Sequence, residues 1–216
     1  MEIKGIYDLS VTIEPKMATW PSNPEVELNE EWTYERDGYK EEVYRSSTHT
    51  GTHIDAPIHM FKGGLSVDQL ELHTLVSEGY CIRPRIFGTE IKLAEIKKIW
   101  KEEYDGKAIL INTGWDKKRA KNDEWQYKFP GLAEDTIDFF GEKKVKLIGI
   151  DTLGIEPADH TNFPVHKGLE KYGITFIEDM QNLEKLKEGK AYLIIALPLK
   201  LKGASGSMSR TIALDI

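Results

Sequence analysis

The first third of the chain alternates short runs of β-branched and aromatic residues with Pro, Asn and Gly. Such runs are typical of strands, and they predict strands over residues 6–13, 26–34 and 42–54. Apolar residues at helical spacing come later, within residues 93–100 and 132–140. The N-terminal third is therefore expected to be rich in strands, with helices confined to the remainder of the chain.

Short apolar strands are predicted after each of these helices and near the C-terminus. Their ranges are residues 108–111, 145–150, 174–177, 192–197 and 211–216. Another helix is predicted from Pro164 to Gly173, because proline suits the first turn of a helix and glycine suits its C-terminal cap. Strands that alternate with helices favour an α/β fold, a mixed sheet with helices packed on it.

Size and composition agree with a single domain over residues 1–216. The chain is 40% hydrophobic, and it has no internal repeat and no linker long enough to mark a boundary. A chain of this length buries roughly 70–75% of the surface that its unfolded form exposes, so it can fold without a metal or a disulfide. A metal in this protein is therefore expected to have a functional role.

Charge and cysteine content restrict the partners and the compartment. The 29 Lys and Arg against 36 Asp and Glu give a formal net charge of -7 without a basic block, which argues against nucleic acid as a partner. The longest apolar run, residues 192–199, is far shorter than the ~20 residues that span a bilayer, so no membrane partner is expected. The single Cys81 excludes an intramolecular disulfide and favours the cytoplasm.

Three of the six histidines and one aspartate fall within eleven consecutive residues. His49, His53, Asp55 and His59 all have odd numbers, so in one extended strand their side chains would share a face. A helix is less suitable, because it would point Asp55 away from the histidines and the intervening Thr, Gly and Pro are poor helix formers. Imidazole and carboxylate ligands without a thiolate predict Zn, Mn or Fe(II).

The rise of a strand limits which of these groups can share one ion. At ~3.3 Å per residue, His53 and Asp55 lie about 7 Å apart at their backbones and can converge on a metal. His49 lies about 13 Å from His53 in a straight strand, so the chain is expected to bend at Gly51. Pro57 is expected to end regular pairing before His59, which can then turn towards the metal without binding it.

Further ligands are expected downstream, because three ligands leave at least one position of the metal open. His166 lies at the start of the helix predicted from Pro164, and Glu178 ends the apolar strand that follows. An unpaired carboxylate would be costly to bury there, and a metal would satisfy it. His160 competes with His166 for this role, but only His166 lies at the start of a helix.

These segments together resemble the cyclase family, whose members include bacterial kynurenine formamidase and isatin hydrolase. The run from His49 to His59 follows the family signature H-x-G-T-H-x-D-x-P-x-H without a departure. The spacing from His166 to Glu178 is similar to the family's second ligand segment, and residues 197–210 are similar to its C-terminal element. The resemblance covers nearly the whole chain.

The resemblance implies a swivelling β/β/α fold, usually a homodimer, that holds one or two divalent ions, with Zn or Mn favoured. It implies that His49, His53 and Asp55 bind the first metal. His166 would bind the second metal, with Asp55 and Glu178 bridging the two ions. His59 matches the family's catalytic histidine.

Trp20 matches an aromatic residue that lines the substrate pocket of formamidase-like members, and a place in the core is the alternative. Many relatives have Pro-Gly-Asp after this aromatic residue, whereas this chain has Pro-Ser-Asn at residues 21–23, which argues against kynurenine-type specificity. Three other residues are expected to lie outside catalysis: His160 at a polar loop position, His73 in a helix or on the surface, and Cys81 buried as an apolar side chain. For Asp151, a turn or cap is as suitable a role as catalysis.

The expected chemistry is metal-assisted hydrolysis of a small-molecule substrate that contains an amide, lactam or ester. The ion lowers the pKa of its water towards ~7 and polarises the scissile carbonyl, while His59 accepts and later donates a proton. Two alternatives stay open at this point. One is a metal-assisted cyclisation or dehydration, and the other is a non-catalytic module whose ion is purely structural.

Overall fold

The computed structural model describes residues 2–216 and has a mixed α/β structure. Its strands are β1 (Gly5–Asp8), β2 (Glu27–Trp32), β3 (Glu41–Arg45), β4 (His53–Asp55), β5 (Val76–Ile82), β6 (Glu90–Ile91), β7 (Ala108–Ile111), β8 (Gly131–Leu132), β9 (Leu147–Ile150), β10 (Thr175–Glu178), β11 (Ala191–Ile195), β12 (Gly206–Met208) and β13 (Ile212–Asp215). Its α-helices are α1 (Tyr34–Asp37), α2 (Leu72–Leu75), α3 (Leu93–Ile99), α4 (Asp123–Tyr127), α5 (Ile137–Glu142) and α6 (Pro164–Lys171). Short 3₁₀ turns, among them Pro57–His59, connect several of these elements.

Nine strands form one sheet in the order β1-β13-β11-β5-β7-β9-β10-β4-β12, and two small sheets pair β2 with β3 and β6 with β8. The four central strands β5, β7, β9 and β10 are parallel, whereas the strands on both flanks pair antiparallel. Parallel neighbours need crossover connections, and here α3, α5 and α6 lie in those connections. The sheet is therefore parallel where helices follow the strands, and antiparallel towards its edges.

The central strands are buried on both faces and separate two hydrophobic cores. Neighbouring residues of β7 show this, because Ile109 belongs to one core and Leu110 to the other, and both are fully buried. On the Ile109 side the sheet packs against Ile96, Phe140 and Leu169 of helices α3, α5 and α6. A continuous apolar run such as Ala108–Ile111 is typical of a strand that is covered on both faces.

The structure confirms the predicted α/β architecture, a mixed sheet with packed helices, and it corrects several predicted elements. The strand predicted over residues 6–13 ends at Asp8, and helix α1 lies in the N-terminal third, where only strands were expected. The strand predicted over residues 42–54 is split, because β3 ends at Arg45 and the chain turns before β4 begins at His53. Leu132 lies in β8, so the second predicted helix begins only at Ile137. A single domain over residues 1–216 stays a prediction. No helix within residues 2–216 is long and apolar enough to cross a membrane.

Candidate active site

Strand β4 lies between β10 and β12, so three segments of the chain meet at it. The register places His53 opposite Glu178 of β10. Residues directly opposite each other in an antiparallel pair share a face, and His53 shares its face with Asp55 two residues on. All three side chains are buried, and Nε2 of His53 lies 3.3 Å from Oδ1 of Asp55 and 3.5 Å from Oε2 of Glu178. Strand pairing therefore builds a compact cluster of one imidazole and two carboxylates.

His49 reaches this cluster from a turn that precedes the strand. Gly51 has a φ of 60°, and Nδ1 of His49 lies 2.7 Å from Oδ1 of Asp55. The predicted bend at Gly51 is confirmed, and a Cβ there would lie 2.4 Å from the side chain of Ile13. Only His53 and Asp55 belong to β4, so the alternation of side chains along an ideal strand applies to these two residues and not to His49 or His59.

His59 is the accessible histidine of the signature. Strand β4 ends at Asp55, and Pro57 begins the 3₁₀ turn that His59 completes, as the sequence predicted for the end of regular pairing. Nε2 of His59 lies 3.8 Å from Oδ2 of Asp55, and its ring centroid lies 4.1 Å from that of His49. The His59 side chain is 33% exposed, against 5% for His53. His59 therefore borders the cluster and also lines the neighbouring cavity.

The far side of the cluster comes from helix α6 and from the segment that follows β9. His166, in the first turn of α6, places Nε2 3.3 Å from Oε1 of Glu178, and its Nδ1 bonds to the buried carboxylate of Glu156. Glu156 also bonds to Nδ1 of His160 at 3.0 Å, while Nε2 of His160 lies 3.6 Å from Oε1 of Glu90. His166 thus contacts Glu178, whereas His160 is directed elsewhere. Sequence reasoning missed Glu156, whose only signal was its position shortly after an apolar strand.

The C-terminal segment closes the cluster from the side of β12. Oγ of Ser205 lies 2.9 Å from Nε2 of His49. A Cβ at Gly206 would lie 2.6 Å from Cε1 of His49, so this position leaves room only for glycine. Ser205 was also missed from the sequence, because nothing in the local pattern marks one serine of this Gly/Ser segment as a contact of His49.

Two groups of side chains place their ligand atoms close enough to share an ion. His53, Asp55 and Glu178 form one group, and His49, Asp55 and His59 form the other, with the ligand atoms of each group within 4.8 Å of one another. Imidazole nitrogen and carboxylate oxygen suit Zn, Mn or Fe(II). The residues therefore fit a divalent metal ion, and Asp55 belongs to both groups.

Burial and hydrogen bonds act in opposite directions on the pKa values of the cluster. Burial raises the pKa of Asp55, but hydrogen bonds from two histidines outweigh burial and hold this pKa well below its usual value. Burial lowers the pKa of His166, yet hydrogen bonds to Glu156 and Glu178 raise it to about 10. The pKa of His59 is lowered, mainly by burial. The lowered pKa keeps the Asp55 carboxylate ionised, which a ligand of a cation requires.

A cavity of about 250 Å³ opens beside this cluster. Its apolar wall is formed by Trp20, Met60, Leu153, Pro157, Ala158 and Phe163. Trp20 also packs edge-on against the buried Phe129, with ring centroids 6.3 Å apart, so one indole lines the cavity and contacts the core. Nδ2 of Asn23 donates a hydrogen bond to the backbone oxygen of His49 at 2.8 Å. This bond ties the loop that carries Trp20 to the histidine segment.

Three residues that the sequence set aside lie apart from the cavity. Cys81 is fully buried, and burial raises the pKa of its thiol to about 12, so it is the inert apolar side chain that was expected. His73 is exposed and lies 3.0 Å from Glu71. Asp151 is buried and accepts hydrogen bonds from the backbone of Thr113 and Gly114, which is a turn-holding role.

The sequence as a whole matches known proteins over nearly its full length. A family model described as "Putative cyclase" matches residues 7–157. The kynurenine formamidase of Erythrobacter litoralis is 30% identical over 215 residues, which cover 99% of this chain and 95% of that protein. The kynurenine formamidase of Bacillus cereus is 31% identical over 219 residues, which cover 98% of each protein.

Solved structures superpose on this chain over nearly its full length. A potential metal-dependent hydrolase with cyclase activity superposes with a TM-score of 0.83 at 28% identity, covering 98% of both chains. Isatin hydrolase A from Labrenzia aggregata superposes with a TM-score of 0.84 at 25% identity, covering 97% of this chain and 93% of that one. The signature from His49 to His59, the shared fold and the matched family model lead to one conclusion: the chain belongs to the Putative cyclase family.

Proposed function

We propose that the protein is a metal-dependent hydrolase of a small amide, lactam or ester. In an amide or lactam it would cleave a C–N bond other than a peptide bond, as an arylformamidase does. Relatives named kynurenine formamidase and isatin hydrolase support this reaction class. The observation that carries the proposal is the buried cluster of His53, Asp55 and Glu178 at the base of a cavity with an aromatic wall.

For the metal ligands, we propose His49, His53 and Asp55 for one ion and His166 with Glu178 for a second, with the carboxylates of Asp55 and Glu178 between the two. The distances of 3.3 Å from Asp55 to His53 and from Glu178 to His166 support this assignment. Zn or Mn suits these donors. When bound, such an ion supplies Lewis-acid activation of a water molecule and of the scissile carbonyl.

His59 is the proposed acid–base residue. It borders the cluster, it lines the cavity, and it is the most exposed of the three histidines whose ring nitrogens lie within 3.8 Å of Asp55. An imidazole has an ordinary pKa of ~6.5, so it can accept a proton during attack and return it to the leaving group near neutral pH. The His59 to Asp55 distance of 3.8 Å keeps the carboxylate near enough to stabilise the imidazolium that forms.

Trp20 is the proposed substrate-binding residue. Its indole lies in the apolar wall of the cavity and is held there by packing against Phe129. A cavity of about 250 Å³ is large enough for one ring with a small acyl group. An aromatic substrate would therefore bind with its ring on Trp20 and its carbonyl towards the cluster.

We also propose a homodimer and a cytoplasmic location. The hairpin of β2 and β3 supports the dimer, because Leu28, Val43 and Tyr44 are exposed on it at 46%, 48% and 40%. The single cysteine, buried and unpaired, supports a reducing compartment. Sedimentation at several protein concentrations tests the dimer, which a monomer at every concentration would contradict.

Hydrolysis of formanilide by protein that has been treated with a chelator and then reloaded with Mn²⁺ tests the proposed function. The rate should fall on chelation and return with the metal, and in ¹⁸O-labelled water the formate released should carry the label. Full activity after verified metal removal would contradict metal dependence. A product formed without incorporation of solvent oxygen would favour the cyclisation or dehydration reaction instead.

A further inference from the structure

Glu156 is a buried carboxylate, only 3% exposed, that accepts hydrogen bonds from four nitrogen atoms. Oε1 accepts from the backbone N–H of His166 at 3.1 Å and bonds to Nδ1 of the same residue. Oε2 accepts from the backbone N–H of Val165 at 3.1 Å and bonds to Nδ1 of His160 at 3.0 Å. The carboxylate therefore holds the first turn of α6 and two imidazole rings at once.

These contacts determine where each imidazole carries its proton. An ionised carboxylate can only accept, so Nδ1 of both histidines must carry the hydrogen. In a neutral ring this leaves the lone pair on Nε2. Nε2 of His166 lies 3.3 Å from Glu178, at the cluster, whereas Nε2 of His160 lies 3.6 Å from Glu90, outside it. The same carboxylate thus orients one histidine towards the cluster and the other away from it.

We propose that Glu156 is a positioning residue for the metal site: it fixes the tautomer and ring orientation of His166, so that His166 and Glu178 together form the half of the site that binds the second ion. This inference rests on the proposed ligand set. It assigns His160 no part in metal binding, although His160 bonds to the same carboxylate. Carboxylates that orient ligating histidines commonly contribute about 10–100-fold to metal affinity.

Equilibrium dialysis of the full-length protein against graded Mn²⁺, with bound metal counted per chain, tests the proposal. Glu156→Gln should weaken binding of one ion about 10–100-fold and leave the other near the wild-type affinity. His166→Ala should lose that same ion. His160→Ala, which removes the other histidine on Glu156, should bind both ions as the wild type does.

A role limited to capping helix α6 predicts a different pattern, which a matched control distinguishes. Thr152→Val removes a buried hydrogen bond, from Oγ1 to the oxygen of Gly154 at 2.8 Å, in the same segment and leaves the carboxylate intact. It should lower Tm without changing Mn²⁺ affinity. If Glu156→Gln lowers Tm in the same way and binds both ions normally, Glu156 is a structural cap and the proposal is wrong.

A second measurement covers the case in which Glu156→Gln does not fold. In Zn²⁺-loaded wild-type protein, long-range ¹H–¹⁵N correlation spectra report which ring nitrogen of His166 carries the proton, with His166→Ala for assignment. Protonated Nδ1 is expected, and protonated Nε2 would overturn the proposal, as would unchanged metal binding in His166→Ala. Inactivity of the Mn²⁺-loaded wild type on all aryl amides would contradict the proposed function alone, because the metal counts do not depend on turnover.

Discussion

The two halves of the candidate site are built in different ways. The contiguous half, residues 49–59, supplies its histidines and Asp55 from one short segment around strand β4. The assembled half consists of Glu156, His166 and Glu178, which come from three separate places: the segment after β9, helix α6 and strand β10. The contiguous half depends on local turns, whereas the assembled half depends on strand pairing and on the docking of a helix.

This difference shows which parts of a site tolerate change. In the contiguous half, a turn at Gly51 and a turn at Pro57 bring the side chains together within eleven residues. In the assembled half, the register of β10 on β4 sets the position of Glu178, and Glu156 sets that of His166. We therefore expect substitutions in the contiguous half to remove chemistry outright, and substitutions in the assembled half to have graded effects.

The largest effect is expected from His53→Ala, which removes a buried imidazole, a proposed metal ligand, from the contiguous half. Metal content and hydrolytic rate should fall together, by more than the ~10–100-fold cost of a residue that only orients a ligand. Metal analysis and formanilide kinetics on the same preparation measure both. His73→Ala, an exposed histidine beside Glu71, is the control and should match the wild type. Retention of metal and rate in His53→Ala would show that the contiguous half is not the ligand set.

His59→Ala should have the next largest effect. A positioned acid–base group contributes ~10²–10⁴-fold, so kcat should fall by this factor. The fold should survive, because the His59 side chain is one-third exposed and is not part of either hydrophobic core. Steady-state kinetics and a thermal melt measure both quantities. A loss of rate that merely follows a loss of folded protein would remove His59 from the mechanism.

The sequence predicted the geometry of the contiguous half well, because its histidines and aspartate, its bend and its end are all marked by residue types within eleven positions. The sequence indicated His166 and Glu178 less directly. His166 lies at the start of a predicted helix, Glu178 ends a predicted strand, and their spacing resembles that of the family. Glu156 and Ser205 could not be predicted, since their contacts with His166 and His49 arise from the packing of elements distant in sequence. The strand predicted over residues 42–54 is split for a local reason, because Gly51 takes a positive φ and the chain turns between Arg45 and His53.

Glu170 in helix α6, which belongs to the assembled half, is expected to make the free energy of unfolding depend on pH. Both of its carboxylate oxygens are buried and have no hydrogen-bond partner within residues 2–216, and burial raises its pKa to about 8 from an ordinary 4.5. The folded protein then holds a proton that the unfolded chain releases, so the free energy of unfolding falls as pH rises from about 4.5 to about 8. Glu170→Gln should remove this decline and be about 1–3 kcal/mol more stable than the wild type above pH 8.

Urea unfolding of wild type and Glu170→Gln at pH 5 and pH 8.5 measures this difference. Other groups titrate in both proteins alike, so their contributions cancel when the two free energies of unfolding are compared. Glu142→Gln, an exposed glutamate in helix α5, should leave the pH profile unchanged. An equal loss of stability between the two pH values in wild type and Glu170→Gln would show that Glu170 is ionised in the folded protein.

The smallest effect is expected from Trp20→Ala, which alters the cavity wall and neither half of the metal site. Stacking of an indole on an aromatic group adds ~0.5–1.5 kcal/mol beyond burial, so KM should rise more than kcat falls. Trp20→Phe should recover much of the loss. An unchanged KM together with a large drop in Tm would assign Trp20 to the core that it shares with Phe129.

Within the contiguous half, His53 is the proposed metal ligand and His59 the proposed acid–base residue. This distinction needs a direct test, because His59 also lies within one of the two groups that could hold an ion. Metal analysis of purified His59→Ala beside His53→Ala tests this claim most directly. We expect near wild-type metal content in His59→Ala and a clear loss in His53→Ala. If His59→Ala loses its ion as fully as His53→Ala does, His59 is a ligand and the proposed acid–base role is wrong.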